Sequence, residues 1–137
     1  MTTVMVVDDE KVIADSLAAI LRISGYMVTA FYDGQSALQA CIAAPPDIVI
    51  TDVSMPGLNG VEMAIQIRSN YPRCKILLFS GHAATAGILD SARQRGYSFD
   101  LLAKPVHPRD LLAALSGQAP PVPQPEAQSA DRESQVA

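Results

Sequence analysis

Val4-Met5-Val6-Val7-Asp8-Asp9-Glu10 is the stretch from which the fold can be read. Its four consecutive apolar residues are strand-sized and unbroken by polar positions, as in strands covered on both faces. Three acids follow at once, so the chain turns from apolar to charged where that strand ends. Similar runs recur at residues 27–31, 48–50, 76–79 and 101–103. Between the runs, apolar residues return at helix spacing. Ile13, Leu17, Ile20 and Leu21 make one stripe, Leu38, Cys41 and Ile42 a second. Val61, Ala64 and Ile65 make a third, and Leu111, Leu112 and Leu115 a fifth. The fourth helix, residues 82–95, is interrupted by Gly87 and diluted by alanines. Asp33 can cap the second helix, Gly25 can end the first, and Pro108 suits the first turn of the last.

Alternation of strands and helices predicts an α/β domain, a parallel sheet between helical layers joined by right-handed crossovers. The domain is expected over residues 1–116, enough chain for a proper core in a protein that is 49% hydrophobic. Residues 117–137 differ: Pro120, Pro121, Pro123 and Pro125 are followed by Gln, Ala, Ser and scattered charge, which predicts a flexible tail. Residues 1–116 carry 11 acids and 9 bases and the tail 3 and 1, so the tail is no strongly charged arm.

The net charge of −4 argues against nucleic-acid binding, which needs a basic face. No apolar run approaches the ~20 residues that span a bilayer. Met1-Thr2-Thr3-Val4 lacks the basic and apolar segments of a secretion signal, so a cytoplasmic protein off the membrane is expected. Cys41 and Cys74 have no metal-type spacing and are read as buried thiols.

In parallel sheets, sites form beyond the carboxyl ends of the strands. There the first strand runs straight into Asp8-Asp9-Glu10, the third ends at Asp52, the fourth at Ser80, and the fifth at Lys104, followed by Pro105. Each alone reads as a turn residue, a cap or a solvated charge. Together they fit that reading poorly, because clustered carboxylates repel and desolvation returns protons to them. A divalent cation makes such a cluster tolerable, and hard oxygen ligands suit Mg²⁺. A carboxylate can attack phosphorus to give an acyl phosphate. Phosphoryl transfer then needs positioning and neutralised oxygens, which Mg²⁺, the Lys104 ammonium and the Ser80 hydroxyl could supply. Asp52 is the best nucleophile candidate, since Asp8 and Asp9 look like the metal pair.

With these residues in view, the sequence resembles the receiver domains of two-component response regulators, the CheY-like family. The resemblance rests on Val6-Val7-Asp8-Asp9-Glu10, the stretch Asp47-Ile48-Val49-Ile50-Thr51-Asp52-Val53-Ser54-Met55-Pro56-Gly57, Asn59-Gly60, Leu78-Phe79-Ser80-Gly81 and Leu102-Ala103-Lys104-Pro105. It covers residues 3–116. It implies a flavodoxin-like (βα)5 sandwich with strand order 2-1-3-4-5. It implies that Asp52 takes phosphate from a histidine on a partner kinase or phosphotransfer protein. Asp9 would ligate Mg²⁺ directly, Asp8 through water and Ser54 through its backbone carbonyl, with Asp52 completing the set. Ser80 would move toward the phosphate and Lys104 would pair with it, and the Lys104–Pro105 bond would be cis.

The chain departs from that family at Leu101, where most receivers carry Tyr or Phe three residues before the lysine. The stretch 96–104 is one residue longer than usual, which makes Phe99 a candidate steric substitute. Val106 stands where Phe is common. Ser54 and His82 occupy positions at which the family tunes acyl-phosphate lifetime, and His82 is read as a surface residue. Asp47 and Asp100 are read as making local turn or loop hydrogen bonds. Glu10 is read as a first-turn helix acid, with the metal's water shell as its alternative role. His107 is expected to be exposed.

The expected function is a single-domain response regulator rather than an enzyme, a monomer or weak dimer. Its phosphorylation would alter binding of a downstream protein on the face of helix four, strand five and helix five. A non-switching receiver used as phosphate sink or adaptor is the first alternative. A phosphohydrolase with an aspartyl-phosphate intermediate is the second, but that type places its two aspartates one residue apart, whereas Asp8 and Asp9 are adjacent. A flavin-binding relative would need a Thr/Ser/Gly phosphate loop where this chain has acids.

Overall fold

The computed structural model describes residues 2–81, 85–104 and 106–116. His82, Pro105 with its predicted cis bond, and the predicted tail over 117–137 lie outside those residues. Ten elements alternate along the chain: β1 (Thr3–Val7), α1 (Lys11–Ile23), β2 (Met27–Phe31), α2 (Gly34–Ala43), β3 (Ile48–Asp52), α3 (Gly60–Asn70), β4 (Lys75–Ser80), α4 (Thr85–Gln94), β5 (Asp100–Ala103) and α5 (Pro108–Ser116). The strands form one parallel sheet in the order β2-β1-β3-β4-β5, the flavodoxin-like arrangement. The order reverses between β1 and β3, so a crevice opens at their carboxyl ends.

Alternation along the central strands builds two cores. Val4, Val6, Ile48, Ile50, Leu77 and Phe79 face Ala14, Leu17 and Leu21 of α1 and Leu111, Ala114 and Leu115 of α5. Met5, Val7, Val49, Ile76 and Leu78 face Ala37 and Cys41 of α2, the inner side of α3 and Ala92 of α4. This two-sided burial is why β1, β3 and β4 carry unbroken apolar runs. β2 differs because it is an edge strand, and Met27 at its start is exposed. Both cysteines are buried free thiols, as expected, and burial pushes each up to about 11.

The helix punctuation holds. Asp33 accepts from the Ser36 amide at 2.7 Å and starts α2, and Pro108 opens α5. Gly25 has φ +100; its amide bonds the Arg22 carbonyl while that of Tyr26 reaches back to Leu21, closing α1 in a Schellman-type turn.

Several expectations need correction. Ile42 is 64% exposed, because Ala37 and Cys41, one turn apart, take the inner face of α2 and rotate Ile42 outward. β3 does end at Asp52 as expected, with the polar Thr51 buried and its hydroxyl bonded to the Asp52 carbonyl at 3.0 Å, but β5 ends at Ala103, one residue before Lys104. α4 ends at Gln94, one residue short of the predicted end at 95, while its predicted start at 82 lies outside the described residues. Asp47 makes no mere turn contact: its Oδ2 accepts from the Thr3 amide at 2.9 Å and the Thr3 hydroxyl at 3.1 Å, while its carbonyl accepts from the Lys75 amide. It therefore ties together the starts of β1, β3 and β4. Asp100 is the first residue of β5 rather than a loop residue, in register with Leu77. Glu10 sits at the N-cap of α1 in extended conformation, outside the first turn. His107 is exposed, as expected, but its Nδ1 accepts from the Arg109 amide at 3.1 Å and so caps α5.

Candidate functional site

The register of the sheet gathers the site. Val7 pairs with Thr51, so one step further Asp8 and Asp52 emerge side by side from β1 and β3. Asp8 continues the β1–β2 ladder through its amide to the Phe31 carbonyl, and its Oδ1 accepts from the Glu10 amide at 2.9 Å. That turn sends the chain into α1 and leaves Asp9 exposed at the mouth. Asp52 ends β3 opposite Phe79 of β4 and is only 4% exposed. Ser80 ends β4 and is buried, in register with Ala103, and its carbonyl accepts from the Lys104 amide at 3.0 Å.

Lys104 reaches back across the sheet. Its Nζ stands 3.3 Å from Asp8 Oδ2, 3.4 Å from Asp52 Oδ2 and 3.9 Å from Glu10 Oε1. It lies over the Phe79 ring at 5.1 Å, an aromatic floor that stabilises a partly desolvated ammonium. Carboxylate oxygens of Asp8, Asp9 and Asp52 all fall within 4.8 Å of one another.

Burial lifts both Asp8 and Asp52 above the ordinary carboxylate range. The Asp52 charge pushes Asp8 further up, opposed by the Glu10 amide and Lys104. For Asp52, Lys104 and the Ser54 amide oppose the rise. Burial pulls the Lys104 ammonium down, but the charges of Asp52 and Asp8 outweigh it and hold it above its usual value. One ammonium against three clustered carboxylates leaves surplus negative charge in a half-dry cleft. A hard divalent cation such as Mg²⁺ fits that donor set, which is all oxygen, acidic and open on the Asp9 side.

The structure thus brings Asp8, Asp9, Asp52, Ser80 and Lys104 to one sheet edge. Ser54 is exposed beside them, its amide 3.4 Å from Asp52 Oδ1. Phe99 is not with them. It precedes β5, whose Asp100 pairs with Leu77 and whose Ala103 pairs with Ser80, so Phe99 lies at the opposite edge of the sheet. There it packs near the Arg68 guanidinium at 5.0 Å and stacks with Tyr97, which removes it as a substitute for an aromatic at Leu101. Leu101 itself is half-buried, in register with Leu78 and packed against the α2–α4 core.

Two contributors were missed by reading charges at strand ends. Phe79 was read only within the apolar run 76–79 and the stretch Leu78-Phe79-Ser80-Gly81, although its place directly before Ser80 puts it next to the site. Gly60 was noted only within the Asn59-Gly60 pair. A Cβ there would stand 2.0 Å from the Asp52 carbonyl oxygen, and the Gly60 amide donates to the Val53 carbonyl at 2.9 Å. Only glycine lets α3 begin against the end of β3, and Asn59 caps it by accepting from the Glu62 amide.

Comparison with known proteins agrees with this geometry. The family profile described as the response regulator receiver domain matches residues 4–116. Over 82 residues the chain is 38% identical to the probable transcriptional regulatory protein TcrX of Mycobacterium tuberculosis, covering 60% of this chain and 35% of that one. The matched part thus spans about a third of the length of that relative. Among solved structures, a response regulator receiver domain protein from Clostridium thermocellum superposes with a TM-score of 0.76 at 28% identity, covering 86% of this chain and 94% of that one. The response regulator protein TrrA of Thermotoga maritima, solved in complex with Mg²⁺ and BeF, gives a TM-score of 0.75 at 28% identity, covering 87% and 100%.

Proposed function

Because this chain belongs to the response regulator receiver family, whose general function is phosphorylation-based signalling, we propose that Asp52 is its phosphoacceptor. The observation that carries the assignment is the meeting of Asp8, Asp9 and Asp52 within 4.8 Å, with Lys104 bridging two of them. Asp8, Asp9, Asp52 and the Ser54 carbonyl would hold Mg²⁺, which when bound neutralises phosphoryl oxygens. A carboxylate oxygen of Asp52 attacks the phosphorus of a phosphohistidine on a partner kinase or phosphotransfer protein. The oxygen–phosphorus bond forms as the nitrogen–phosphorus bond breaks, and the imidazole leaves with its electron pair. Lys104 exchanges its carboxylate contacts for a phosphoryl oxygen, and Ser80 donates its hydroxyl to another. The chain is a switch rather than an enzyme acting on other molecules. It works in the cytoplasm as a monomer or weak dimer, without nucleic acid, and its phosphorylated state is read by a downstream protein on the α4–β5–α5 face.

Incubation with a small phosphodonor and Mg²⁺ tests the assignment. The wild-type protein should gain one phosphoryl group and Asp52→Asn none; equal labelling of both would remove Asp52 as acceptor. Leu101, where most receivers carry Tyr or Phe, with Phe99 at the far edge, favours a second reading as a phosphate sink or adaptor. Amide resonances separate the two: shifts spreading over α4 and α5 on phosphorylation indicate a switch, and shifts confined to the pocket indicate a sink.

A further inference from the structure

We infer that Gly34 is a positioning residue for the metal site, seating the loop that carries Ser54. The inference rests on the assignment of Asp52 and Ser54 proposed above. Gly34 is buried at the first position of α2. A Cβ built there would stand 2.6 Å from the Leu58 carbonyl oxygen and 3.1 Å from Leu58 Cβ. The nearest atom is backbone, so it cannot swing aside as a side-chain end would. Gly34 is not in the left-handed region, and an opening helical position accepts alanine readily. Space, not conformation, demands glycine here.

Leu58 belongs to the loop of residues 53–59, between β3 and α3. Gly60 pins the far end of that loop against Val53 and Asp52, and Gly34 allows α2 to press on it from the side. Near the loop's start the Ser54 amide points at Asp52 Oδ1. Displacement of the loop is therefore felt at the phosphoacceptor and at the Ser54 carbonyl.

The helix side of the contact is the firmer one. Asp33 holds the Ser36 amide and hydroxyl at 2.7 and 2.9 Å. Tyr32 donates to Asp15 Oδ1 at 2.6 Å, and Lys11 Nζ lies 4.9 Å from its ring, which fastens the β2–α2 turn to α1. A methyl at position 34 would push the loop rather than the helix. Restoring even the 3.0 Å limit that Cβ atoms essentially never cross requires a retreat of about 0.4 Å.

The test titrates Mg²⁺ into the unphosphorylated protein and follows amide resonances of the pocket. Gly34→Ala should weaken Mg²⁺ binding about ten-fold, as loss of outer support around metal ligands commonly does. Phosphorylation by a small donor should recover when Mg²⁺ is raised in proportion. Asp33→Ala, which loosens the α2 cap without adding an atom, should lower stability and leave Mg²⁺ affinity unchanged. Equal affinity of Gly34→Ala and wild type, or an equal loss in Asp33→Ala, would overturn the inference. If Gly34→Ala does not fold, the same substitution in a background stabilised by Gly87→Ala, where a Cβ meets nothing within 4 Å, carries the test: weaker Mg²⁺ binding than Gly87→Ala alone supports the seat and equal binding refutes it. A wild-type protein that binds no Mg²⁺ at these residues would instead overturn the underlying site assignment.

Discussion

Asp52 sits in the fold at a cost that the metal-free protein bears alone. Burial raises its folded pKa above the unfolded value of about 3.9. Ionised Asp52 therefore opposes folding once pH exceeds the folded value, and that opposition fades as pH falls through it. Asp52→Asn should accordingly raise the unfolding midpoint in EDTA at neutral pH by a few degrees, about 1 kcal/mol, with an advantage that shrinks toward pH ~4. Thermal melts across that range check the sign; a less stable variant at neutral pH would show that the Lys104 pairing outweighs desolvation. Gly60 offers a second residue-scale case. Alanine is the better helix former by about 1 kcal/mol, yet its Cβ would meet the Asp52 carbonyl oxygen at 2.0 Å. Denaturant titration of Gly60→Ala should therefore show a loss of more than about 2 kcal/mol. The strand-end charges were legible because acids after an apolar run stand out. Gly60's role was not, because the absence of a side chain says nothing until its neighbour is placed.

At the scale of elements, the helices split according to what surrounds them. α4 carries Gly87 in its interior, exposed and with nothing within 4 Å of where a Cβ would stand. Gly87→Ala should stabilise the protein by about 0.5–1 kcal/mol through helix propensity alone, measurable by denaturant unfolding; a loss would mean that the position has a partner when folded. The same residue made α4 the least legible helix in the sequence, whereas α1 and α5 could be read from their stripes. Strand existence was legible, and the acid and the hydroxyl that follow the apolar runs marked the ends of β3 and β4 at Asp52 and Ser80. The start of β5 was not, since Asp100 is polar by composition and only the ladder to β4 makes it a strand residue. Asp47 was misread for a related reason: a hydrogen bond to Thr3, 44 residues away, leaves no local pattern.

For the whole molecule, parallel register converts sequence adjacency into a site. β3 and β4 end on Asp52 and Ser80, and β1 and β5 are followed directly by Asp8 and Lys104, so all four come to one edge, and the reversal of strand order between β1 and β3 opens the crevice where Asp8 and Asp52 meet. The strand order itself followed from family resemblance, since alternation alone leaves several parallel sheets possible. The phosphoacceptor assignment is tested most directly by trapping the acyl phosphate. After phosphorylation with a small donor and Mg²⁺, borohydride reduces an aspartyl phosphate to homoserine, and peptide mass spectrometry locates the change. Conversion at position 52 alone is the predicted result. Conversion at Asp8 or Asp9, or none in a protein that binds Mg²⁺, would contradict the account.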